Sequence, residues 1–534
     1  MTNMNHFENT ILKIGIIVKD IEIPHWQYYI IEEINKSHFA TISNLIISSG
    51  TNDFSPKFTF IDNIFKNIFE KIESNRQLGE DDSQKIKKLE IDPSLKITNI
   101  NSASSTSKIK DENLDLIINL SSEKLSDLSN ASKYGLWSIH HGPNPYELNQ
   151  PLGFWEILKC QNVTNSLLLF YYPPGRCQII DKSYVRTNIL SPKRTQNLIY
   201  WKTCSLILNN LKIFYILGPS RFEQLSNHNV EFSNEIKINF PHFKDYYEVI
   251  SIMKKRHSRA KSISKNLEQW ILLYNFGNSL STEFHKFKEI RPPEDRFWAD
   301  PFVLFRDNTY FVFFEEFIYG DKGNISYLTI DENEVISEPK RILEESYHMS
   351  YPYIFEYDNS IFMIPETHSN KTIDLYECIE FPSKWKFKKN LIKDIDAVDS
   401  TPLFFDNKWW IFTSVKTNPY LENWDDLFLF YSDDILSDNF ISHPINPVVS
   451  DIQKSRSAGK IFFSQNKILR PSQNSSISYG GSISLNEINV LTPDDFKEKK
   501  IKSFLPWSEK IVGIHTINHT NKLSIIDAKY LKSC

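Results

Sequence analysis

The second half of the chain carries a repeat of about 50 residues, which constrains the fold more than any other feature. Each unit contains a polar turn with Asn as its last residue, followed by an apolar or aromatic run. A period near 50 with several strands per unit is typical of a β-propeller, in which each repeat forms one four-stranded blade. Five units predict a five-bladed β-propeller over residues 269–534, and an irregular β-sandwich is the alternative. The turns end at Asn308, Asn359, Asn407, Asn466 and Asn521, with spacings of 51, 48, 59 and 55 residues.

Glycine is scarce, which agrees with turns built on Asn. The chain has 15 Gly among 534 residues, less than half of the usual share of about 7 %. Asp and Asn tolerate a positive φ almost as well as Gly, so these turns can reverse the chain without it. Neither G-x-G-x-x-G nor G-x-x-x-x-G-K-[ST] occurs, and the net charge of −5 predicts no nucleic-acid partner.

The cysteines and the apolar runs indicate the compartment. Five scattered cysteines without a C-x-x-C pair predict neither a disulfide framework nor a metal site. The first ten residues lack a basic stretch followed by an apolar core, and no run reaches 18 apolar residues. We therefore expect no signal peptide, no membrane span and a cytoplasmic protein, with the oligomeric state left open.

The first half of the chain has the texture of an α/β domain. A strand at 11–18, a helix at 26–36 and a strand at 40–48 form one βαβ step, which implies a parallel sheet. The domain is predicted to span residues 1–225, with a polar insertion at 72–112 that we expect to be mobile. Residues 226–268 are polar, end in a basic stretch, and are interpreted as a linker whose basic part is a solvated helix face.

A polar motif follows the predicted strand 114–120. The motif reads Ser-Ile-His-His-Gly and includes Ser138, His140 and His141. At the carboxyl end of a parallel strand such side chains lie where open α/β folds bind ligands. His140 can act as a general acid or base near neutral pH, and a structural buried histidine is the alternative. We expect His141, Asn144 and Trp155 to bind substrate.

The stretches W-S-I-H-H-G-P-N and P-L-G-F-W-E resemble those of methionyl-tRNA formyltransferase-type proteins, and most of all a divergent bacterial variant of them. The resemblance covers roughly residues 12–215. It implies 10-formyltetrahydrofolate as the formyl donor and His140 as the group that takes the proton of the amine. The family also uses an Asn and an Asp, but Ser138 stands at the Asn position and the Asp position falls at Gly175 or Arg176. A degenerate domain that binds or acts as a scaffold is the alternative.

In the propeller, D-R-F-W-A-D-P-F and D-S-T-P place Asp300 and Asp399 on the inner strands of blades one and three. Inner strands line the axis, and two carboxylates across a funnel suit glycosidic chemistry. The arrangement resembles the glycoside hydrolase family 43 superfamily. The resemblance implies that Asp300 is a general base and that Asp399 orients the acid. A Glu on blade four is the acid in that superfamily, but blade four here reads R-S-A-G-K-I. Glu315, Glu316 and Glu366 are on other blades and can replace it only if the topology allows.

Residues 290–530 resemble more specifically the propeller at the N-terminus of glucosamine inositolphosphorylceramide transferases. The shared stretches include F-W-A-D-P-F-V, F-F-E-E-F, I-P-E-T, D-S-T-P-L-F and R-S-A-G-K-I-F. The resemblance implies a carbohydrate or nucleotide-sugar partner. We expect Trp298, Trp409 and Trp410 to stack on a sugar, or else to belong to the core. The remaining polar groups expected at the funnel are Glu316, Glu366, Arg456, Arg470 and Gln473.

The sequence as a whole predicts a transferase of bacterial carbohydrate or glycoconjugate biosynthesis. It would transfer a formyl, acyl or glycosyl group to a sugar-bearing substrate, with His140 and Ser138 at one site and Asp300 and Asp399 at the other. One alternative is a non-catalytic glycan-binding protein with a degenerate formyltransferase-like scaffold. The other is a glycosidase or glycosyltransferase centred on the propeller.

Overall fold

The chain forms two compact units, residues 1–258 and 259–534, called here the first unit and the propeller. The structure is a computed structural model. It describes residues 11–48, 58–74, 78–90, 92–93, 95–100, 106–121, 123, 125–142, 144, 147–149, 151–173, 176–225, 228–229, 237–263 and 267–532.

The first unit is built on a mixed eight-stranded sheet in the order β11-β10-β9-β7-β6-β1-β3-β5. The strands β7, β6, β1, β3 and β5 are parallel, and β9 and β10 return antiparallel beside β7. Its strands and helices are β1 (Leu12–Val18), β2 (Glu22–Pro24), α1 (His25–Lys36), β3 (Ala40–Ser48), α2 (Phe60–Ser74), β4 (Ile86–Lys88), β5 (Lys96–Ile100), α3 (Thr106–Lys110), β6 (Leu116–Asn119), β7 (Leu136–His141), β8 (Glu147–Asn149), α4 (Phe154–Leu158), β9 (Val163–Tyr172), β10 (Arg176–Arg186), α5 (Pro192–Leu225), β11 (His228–Asn229), β12 (Lys237–Asn239) and α6 (Phe243–Ile263).

Two predictions for this unit are wrong in part. The segment 72–112 is not a plain insertion, because β5 pairs with β3 and forms the edge of the main sheet. The segment 226–268 is not only a linker, because α6 buries Tyr246, Val249 and Met253 in one apolar cluster with Phe69 of α2 and Phe154 of α4. In both segments a few apolar side chains at the right positions outweigh a polar composition.

The second unit is a five-bladed β-propeller, as the repeat predicts. Four consecutive antiparallel sheets form blades one to four, and a fifth sheet joins the two ends of the propeller. The strands are β13 (Leu267–Phe276) and β14 (Lys288–Ile290), then β15 (Arg296–Arg306), β16 (Thr309–Ile318), β17 (Gly323–Asp331) and β18 (Lys340–Leu343) in blade one, β19 (Ser350–Tyr357), β20 (Ser360–Glu366), β21 (Thr372–Glu380) and β22 (Lys384–Lys393) in blade two, β23 (Ala397–Phe405), β24 (Lys408–Val415), β25 (Asp426–Ser432), β26 (Ile441–Ser442) and β27 (Val449–Ser450) in blade three, β28 (Phe462–Ser464), β29 (Lys467–Asn474), β30 (Ser482–Leu491) and β31 (Phe496–Phe504) in blade four, and β32 (Ile511–Gly513), β33 (Ile517–Thr520) and β34 (Leu523–Lys532).

Blade five closes the ring. The strand β34 pairs along its whole length with β13, which comes from the other end of the propeller, and also pairs with β33 on its opposite edge. Apolar side chains pack between neighbouring sheets, for example Phe302 and Phe313 of blade one with Tyr353 of blade two in one buried cluster. Among the described residues, no helix has both the length and the apolar composition needed to cross a membrane.

Candidate functional site

The first strands of blades one, two and three share a backbone irregularity that positions the candidate site. Their pairing with the second strand is interrupted after Ala299, Ser350 and Val398. Within each interruption one residue has a positive φ, namely Asp300 (51°), Tyr351 (44°) and Asp399 (52°). Bulges of this kind turn a side chain away from the alternation of the strand. Both predicted aspartates therefore occupy equivalent positions, and both are buried, at 5 % and 1 % exposure.

Arg456 holds Asp399 in place. Its Nε lies 2.5 Å from Asp399 Oδ2, and its Nη2 lies 3.2 Å from Asp399 Oδ1 and 3.3 Å from Glu366 Oε2. Gln473 donates a further hydrogen bond to Asp399 at 2.9 Å. Burial alone would lower the pKa of Arg456, but Asp399 and Glu366 raise it well above its ordinary value, so the guanidinium stays charged. Three of the predicted funnel residues, Glu366, Arg456 and Gln473, thus meet at Asp399.

Asp300 is held by residues of blade five. Its backbone N–H donates to Asp527 Oδ2 at 2.9 Å, and Thr516 donates to its Oδ1 at 2.6 Å. His515 Nδ1 lies 2.5 Å from Asp527 Oδ2, and the indole of Trp270 stacks on the His515 ring at 3.9 Å. Burial raises the pKa of Asp300, and the positive charge that His515 can carry opposes this shift. A raised pKa suits a group that accepts a proton near neutral pH.

The surroundings of Glu315 favour its protonated form. It lies on β16 opposite Ala299, next to Asp300. Burial and the negative charges of Asp300 and Glu366 raise its pKa well above the usual range. Glu366 behaves in the opposite way, because His368 Nδ1 at 3.0 Å and Arg456 lower its pKa to about 2 against the effect of burial. Carboxyl groups whose pKa values are shifted in opposite directions therefore share one buried centre.

We refer to these residues at the axis of the propeller as the axial cluster. Five acids face one guanidinium and the imidazole of His515, so repulsion among the acids favours retention of protons. The cluster comprises Asp300, Glu315, Glu366, Asp399, Arg456, His515 and Asp527.

Two predicted funnel residues lie elsewhere. Glu316 points to the other side of β16, where Arg296 Nη1 donates to it at 3.0 Å and Ser326 at 3.0 Å. Arg470 is fully buried and forms two hydrogen bonds with Glu498 of β31, at 2.8 and 2.9 Å. Both residues stabilise contacts between strands within a blade and do not join the axial cluster.

The three tryptophans expected to stack on a sugar belong to the core. Trp298 is 4 % exposed and packs against Phe314 at 5.1 Å between ring centroids. Trp409 and Trp410 are 8 % and 1 % exposed and lie in two different apolar clusters. The core alternative is therefore the correct one for all three.

The motif of the first unit opens into a separate cavity of about 310 Å³. Its walls come from the residues that follow β1 and β6 and from the end of β7, so it lies at the carboxyl edge of the parallel strands, as the motif predicts. Ser138, His140 and His141 all line it. Burial and the neighbouring His140 lower the pKa of His141 to about 3, so His141 is neutral, and its Nδ1 lies 3.0 Å from Ser166 Oγ.

A carboxylate that the sequence analysis did not identify also lines this cavity. Glu123 follows β6, is 9 % exposed, and hydrogen bonds through Oε2 to Ser48. Its Oε1 is buried and has no hydrogen-bond partner among the described residues. An unpartnered buried carboxylate oxygen beside a cavity is suited to a ligand that donates an N–H or O–H.

The other residues predicted for this site are not among those that line the cavity. Trp155 packs beside Phe154 against the cluster around Tyr246, and Asn144 follows β7 outside the cavity wall. Gly175, one of the two positions that the resemblance assigns to the Asp, lies outside the described residues. Arg176, the other position, forms an ion pair with Glu223.

The sequence left Glu315 as one of three candidate acids, and His515 and Asp527 were not predicted. The F-F-E-E-F motif contains Glu315, but a motif does not reveal which of two neighbouring glutamates faces the axis. His515 and Asp527 come from the last blade, more than 200 residues from Asp300. Their only sequence signal is the His-Thr pair that precedes the fifth repeat turn.

Comparison with known proteins places the propeller in a recognised context. Residues 288–533, just under half of the chain, match the family model described as glucosamine inositolphosphorylceramide transferase 1, N-terminal. Glucosamine inositolphosphorylceramide transferase 1 of Oryza sativa subsp. japonica is 32 % identical over 218 residues, which are 40 % of this chain and 29 % of the relative. The protein of the same name from Arabidopsis thaliana is 28 % identical over 220 residues, 40 % of this chain and 28 % of the relative. The chain thus spans less than a third of the curated relatives it matches.

Two solved structures align with about half of the chain at lower sequence identity. The family 117 glycoside hydrolase Zg3597 of Zobellia galactanivorans aligns at 11 % identity and a TM-score of 0.33, over 49 % of this chain and 91 % of that one. The catalytic domain of the Coprinopsis cinerea GH62 α-L-arabinofuranosidase aligns at 11 % identity and a TM-score of 0.34, over 48 % and 97 %. The family match, together with the five sheets of the chain itself, makes residues 288–533 a propeller similar to the N-terminal domain of glucosamine inositolphosphorylceramide transferase 1.

Proposed function

We propose that the propeller binds a sugar-containing substrate at the axial cluster and transfers a glycosyl group in glycoconjugate biosynthesis. One observation carries the proposal: Glu315, with a pKa well above the usual range, shares a buried centre with Glu366, whose pKa is lowered to about 2. Glycosidic chemistry requires a protonated carboxyl group and an ionised one at the same site. The names of the matched relatives, which are transferases, agree with this chemistry.

The roles follow from the protonation states. Glu315 donates its proton to the oxygen that leaves as the glycosidic bond breaks. Asp300 accepts the proton of the incoming hydroxyl group as its oxygen forms the new bond to the sugar. Asp399 is fixed by Arg456 and Gln473. Burial raises the pKa of Asp399 well above its ordinary value, and Arg456 opposes this shift. Glu315 thus takes the role that a blade-four glutamate has in the resembling superfamily.

A panel of nucleotide sugars and aryl glycosides, each with a sugar acceptor, tests the proposal. Asp300→Asn and Glu315→Gln are each expected to lower turnover at least a hundredfold, since proton transfer by a positioned group contributes about 10²–10⁴. Asp433→Asn is the matched control, because Asp433 lies on the surface beside Lys408. Equal activity of wild type and Asp300→Asn would eliminate Asp300 as a catalyst. Sugar binding without turnover, lost in Asp300→Asn, would instead support the glycan-binding alternative.

The cavity of the first unit supports a second candidate function, formyl transfer to an amine. The observation in its favour is that His140 and the carboxylate of Glu123 line the same cavity, although the Asp of the resembling family is absent from its usual position. Glu123 Oε1 fits an N–H donor such as the acceptor amine, and 10-formyltetrahydrofolate would supply the formyl group. Ser138 can donate a hydrogen bond where the family has an Asn.

Mass spectrometry and a binding assay test this second function. The protein is incubated with 10-formyltetrahydrofolate and amino-sugar nucleotides, and a product with the mass of one added formyl group is expected. Folate binding is measured separately by the shift in Tm. Glu123→Gln and His140→Gln are expected to lose the product. Arg176→Gln, which alters an ion pair with Glu223 and a contact with the Tyr172 ring outside the cavity, is expected to keep it. The absence of both product and binding in the wild type would exclude formyl transfer.

A further inference from the structure

The helices α2 and α6 of the first unit expose an unusual amount of apolar surface. On α2, Phe60, Ile61, Ile64 and Ile68 are 80, 50, 42 and 46 % exposed, and Tyr247 of α6 is 64 % exposed. Residues 61, 64 and 68 lie three and four positions apart, so they form one stripe along the helix. We call this surface the α2–α6 face. Exposed apolar patches of this kind mark interaction sites in soluble proteins.

The two helices meet along a groove that belongs to the same face. The groove, of about 520 Å³, is lined by Ile61 and Phe65 of α2 and by Phe243, Lys244 and Tyr247 of α6, with Glu248 and Ser251 at its side. Phe65 contacts both Phe243 and Tyr247, at 6.2 and 6.4 Å between ring centroids. The stripe and the groove therefore form one continuous apolar surface.

Lysines continue both stripes. On α2 the next residue on the stripe after Ile68 is Lys71, three positions on, and it is exposed. On α6 the groove-lining stripe reaches Ser251 and continues at Lys254 and Lys255, which are also exposed. Residues three and four positions apart share a helix face. The two helices run in the same direction, because Phe65 meets Phe243 and Phe69 meets Tyr246. The three lysines therefore lie beyond the same end of the apolar surface.

We propose that the α2–α6 face docks the protein on an anionic membrane surface. Apolar side chains next to helix-borne lysines are typical of helices that lie in the interface of a bilayer. The apolar stripe enters the boundary between headgroups and acyl chains, and Lys71, Lys254 and Lys255 contact the acidic headgroups. Lys254 and Lys255 belong to the basic stretch that was predicted to be a solvated helix face, and they gain a role here. The inference does not rest on the proposed activity of the propeller.

Vesicle flotation tests the proposal with the full chain. Wild-type protein is expected to float with vesicles that contain phosphatidylserine, and to do so less at high salt, because salt screens the lysines. It is expected to remain with the unbound fraction when the vesicles are phosphatidylcholine alone. Lys254→Gln with Lys255→Gln is expected to weaken binding by more than tenfold, about fivefold for each charge near the surface.

A second double variant tests the apolar stripe, and a matched variant controls for it. Ile64→Ser with Ile68→Ser is expected to abolish flotation with an unchanged Tm, because both side chains are already exposed. Ile86→Ser, which removes another side chain exposed at 60 %, is expected to leave flotation unchanged.

Three outcomes would overturn the proposal. They are failure of the wild type to bind phosphatidylserine vesicles, equal binding by the Ile64→Ser with Ile68→Ser variant, and a concentration-dependent dimer in light scattering that this variant abolishes. The last result would assign the face to a second copy of the chain. Transfer activity on soluble sugar substrates is measured in parallel. A protein that floats with the vesicles but lacks this activity contradicts the proposed function of the propeller and not the membrane-docking proposal.

Discussion

Replacement of Arg456 by Met tests the electrostatic account of the axial cluster most directly. Arg456 is 8 % exposed and makes hydrogen bonds of 2.5 and 3.2 Å with Asp399 and of 3.3 Å with Glu366. Methionine fills much of the same space but leaves the buried carboxylates without their cation. Removal of one partner from a buried ion pair costs about 3–5 kcal/mol of folding free energy. At about 2–4 °C per kcal/mol for a unit of this size, the Tm of the propeller should fall by roughly 10 °C.

The Tm difference between wild type and Arg456→Met should depend on pH, and the direction follows from the pKa of Asp399. Burial already raises the pKa of Asp399 well above its unfolded value of about 3.9, and Arg456 opposes this shift. Without the guanidinium, the folded-state pKa of Asp399 rises further. A raised folded-state pKa means that the folded protein binds the proton more tightly than the unfolded chain. The loss of stability is therefore complete above the folded-state pKa and shrinks as the pH falls through it. The Tm difference between wild type and variant should be smaller at pH 5 than at pH 8.

Circular dichroism melts of four proteins provide the assay: the wild type, two single arginine variants and one double variant. Arg341→Met is the matched control, because Arg341 is half-buried and lies 3.5 Å from Glu316 and 3.1 Å from Glu344. Exposed or half-exposed pairs contribute about 1 kcal/mol or less. Asp399→Asn added to Arg456→Met should recover part of the lost Tm, since it removes the unpaired charge. Equal Tm losses for the two arginine variants, or a loss at Arg456 that does not change with pH, would refute the reasoning.

Three further outcomes are expected. Glu315→Gln should change the free energy of unfolding by less than about 1 kcal/mol in a denaturant titration at neutral pH, because Gln resembles the protonated acid; a large loss would mean that Glu315 is ionised. Glu366 raises the pKa of His368, so this pair contributes stability that is complete below about pH 6.5 and lost as the pH rises through the raised pKa. His368→Gln should flatten the fall of Tm between pH 6 and 9, and an unchanged slope would contradict the assignment. Gly459 has a φ of 117°, and a Cβ there would lie 2.1 Å from the Ile517 carbonyl oxygen, so Gly459→Ala should lower the Tm far more than Gly320→Ala, where nothing lies within 4 Å.

The blades were predictable because the repeat turns carry their own backbone signature. The turn residues have a positive φ between 47° and 61°, namely Asp307, Asn308, Asp358, Asn359, Asp406, Asn407, Gln465, Asn466 and Asn521. Paired positive φ values form the tight hairpin turns that match the twist of adjacent strands. Asn and Asp adopt this conformation at low cost, so their spacing in the sequence marks the hairpins between the first and second strands.

The site was less predictable, since it depends on register and on contacts between distant segments. Glu315 and Glu316 are neighbours in sequence, and a one-residue change of register exchanges the faces on which they lie. The bulge after Ala299 sets that register, and no composition or spacing reveals it. The aromatic residues gave a misleading signal, because a tryptophan in a propeller strand can either fill the core or line the funnel. Trp298 and Trp410 fill the core. In the first unit, the loop after β6 brings Glu123 to the cavity through a bond to Ser48, 75 residues earlier in the chain.

The irregularity that recurs in blades one to three explains how one repeat yields both a position in the axial cluster and a position that links blades. A tyrosine with a positive φ is uncommon, and such a conformation costs about 1–3 kcal/mol unless its surroundings stabilise it. Tyr351 is stabilised by its hydroxyl group, which lies 2.9 Å from Thr401 Oγ1 of blade three and accepts the Gly459 N–H of blade four at 2.8 Å. In blade two, the residue at this backbone position thus links blades two, three and four. In blades one and three, the same position directs Asp300 and Asp399 into the axial cluster. Aspartate adopts a positive φ more readily than tyrosine, so the carboxylates occupy these positions at a lower cost in backbone strain.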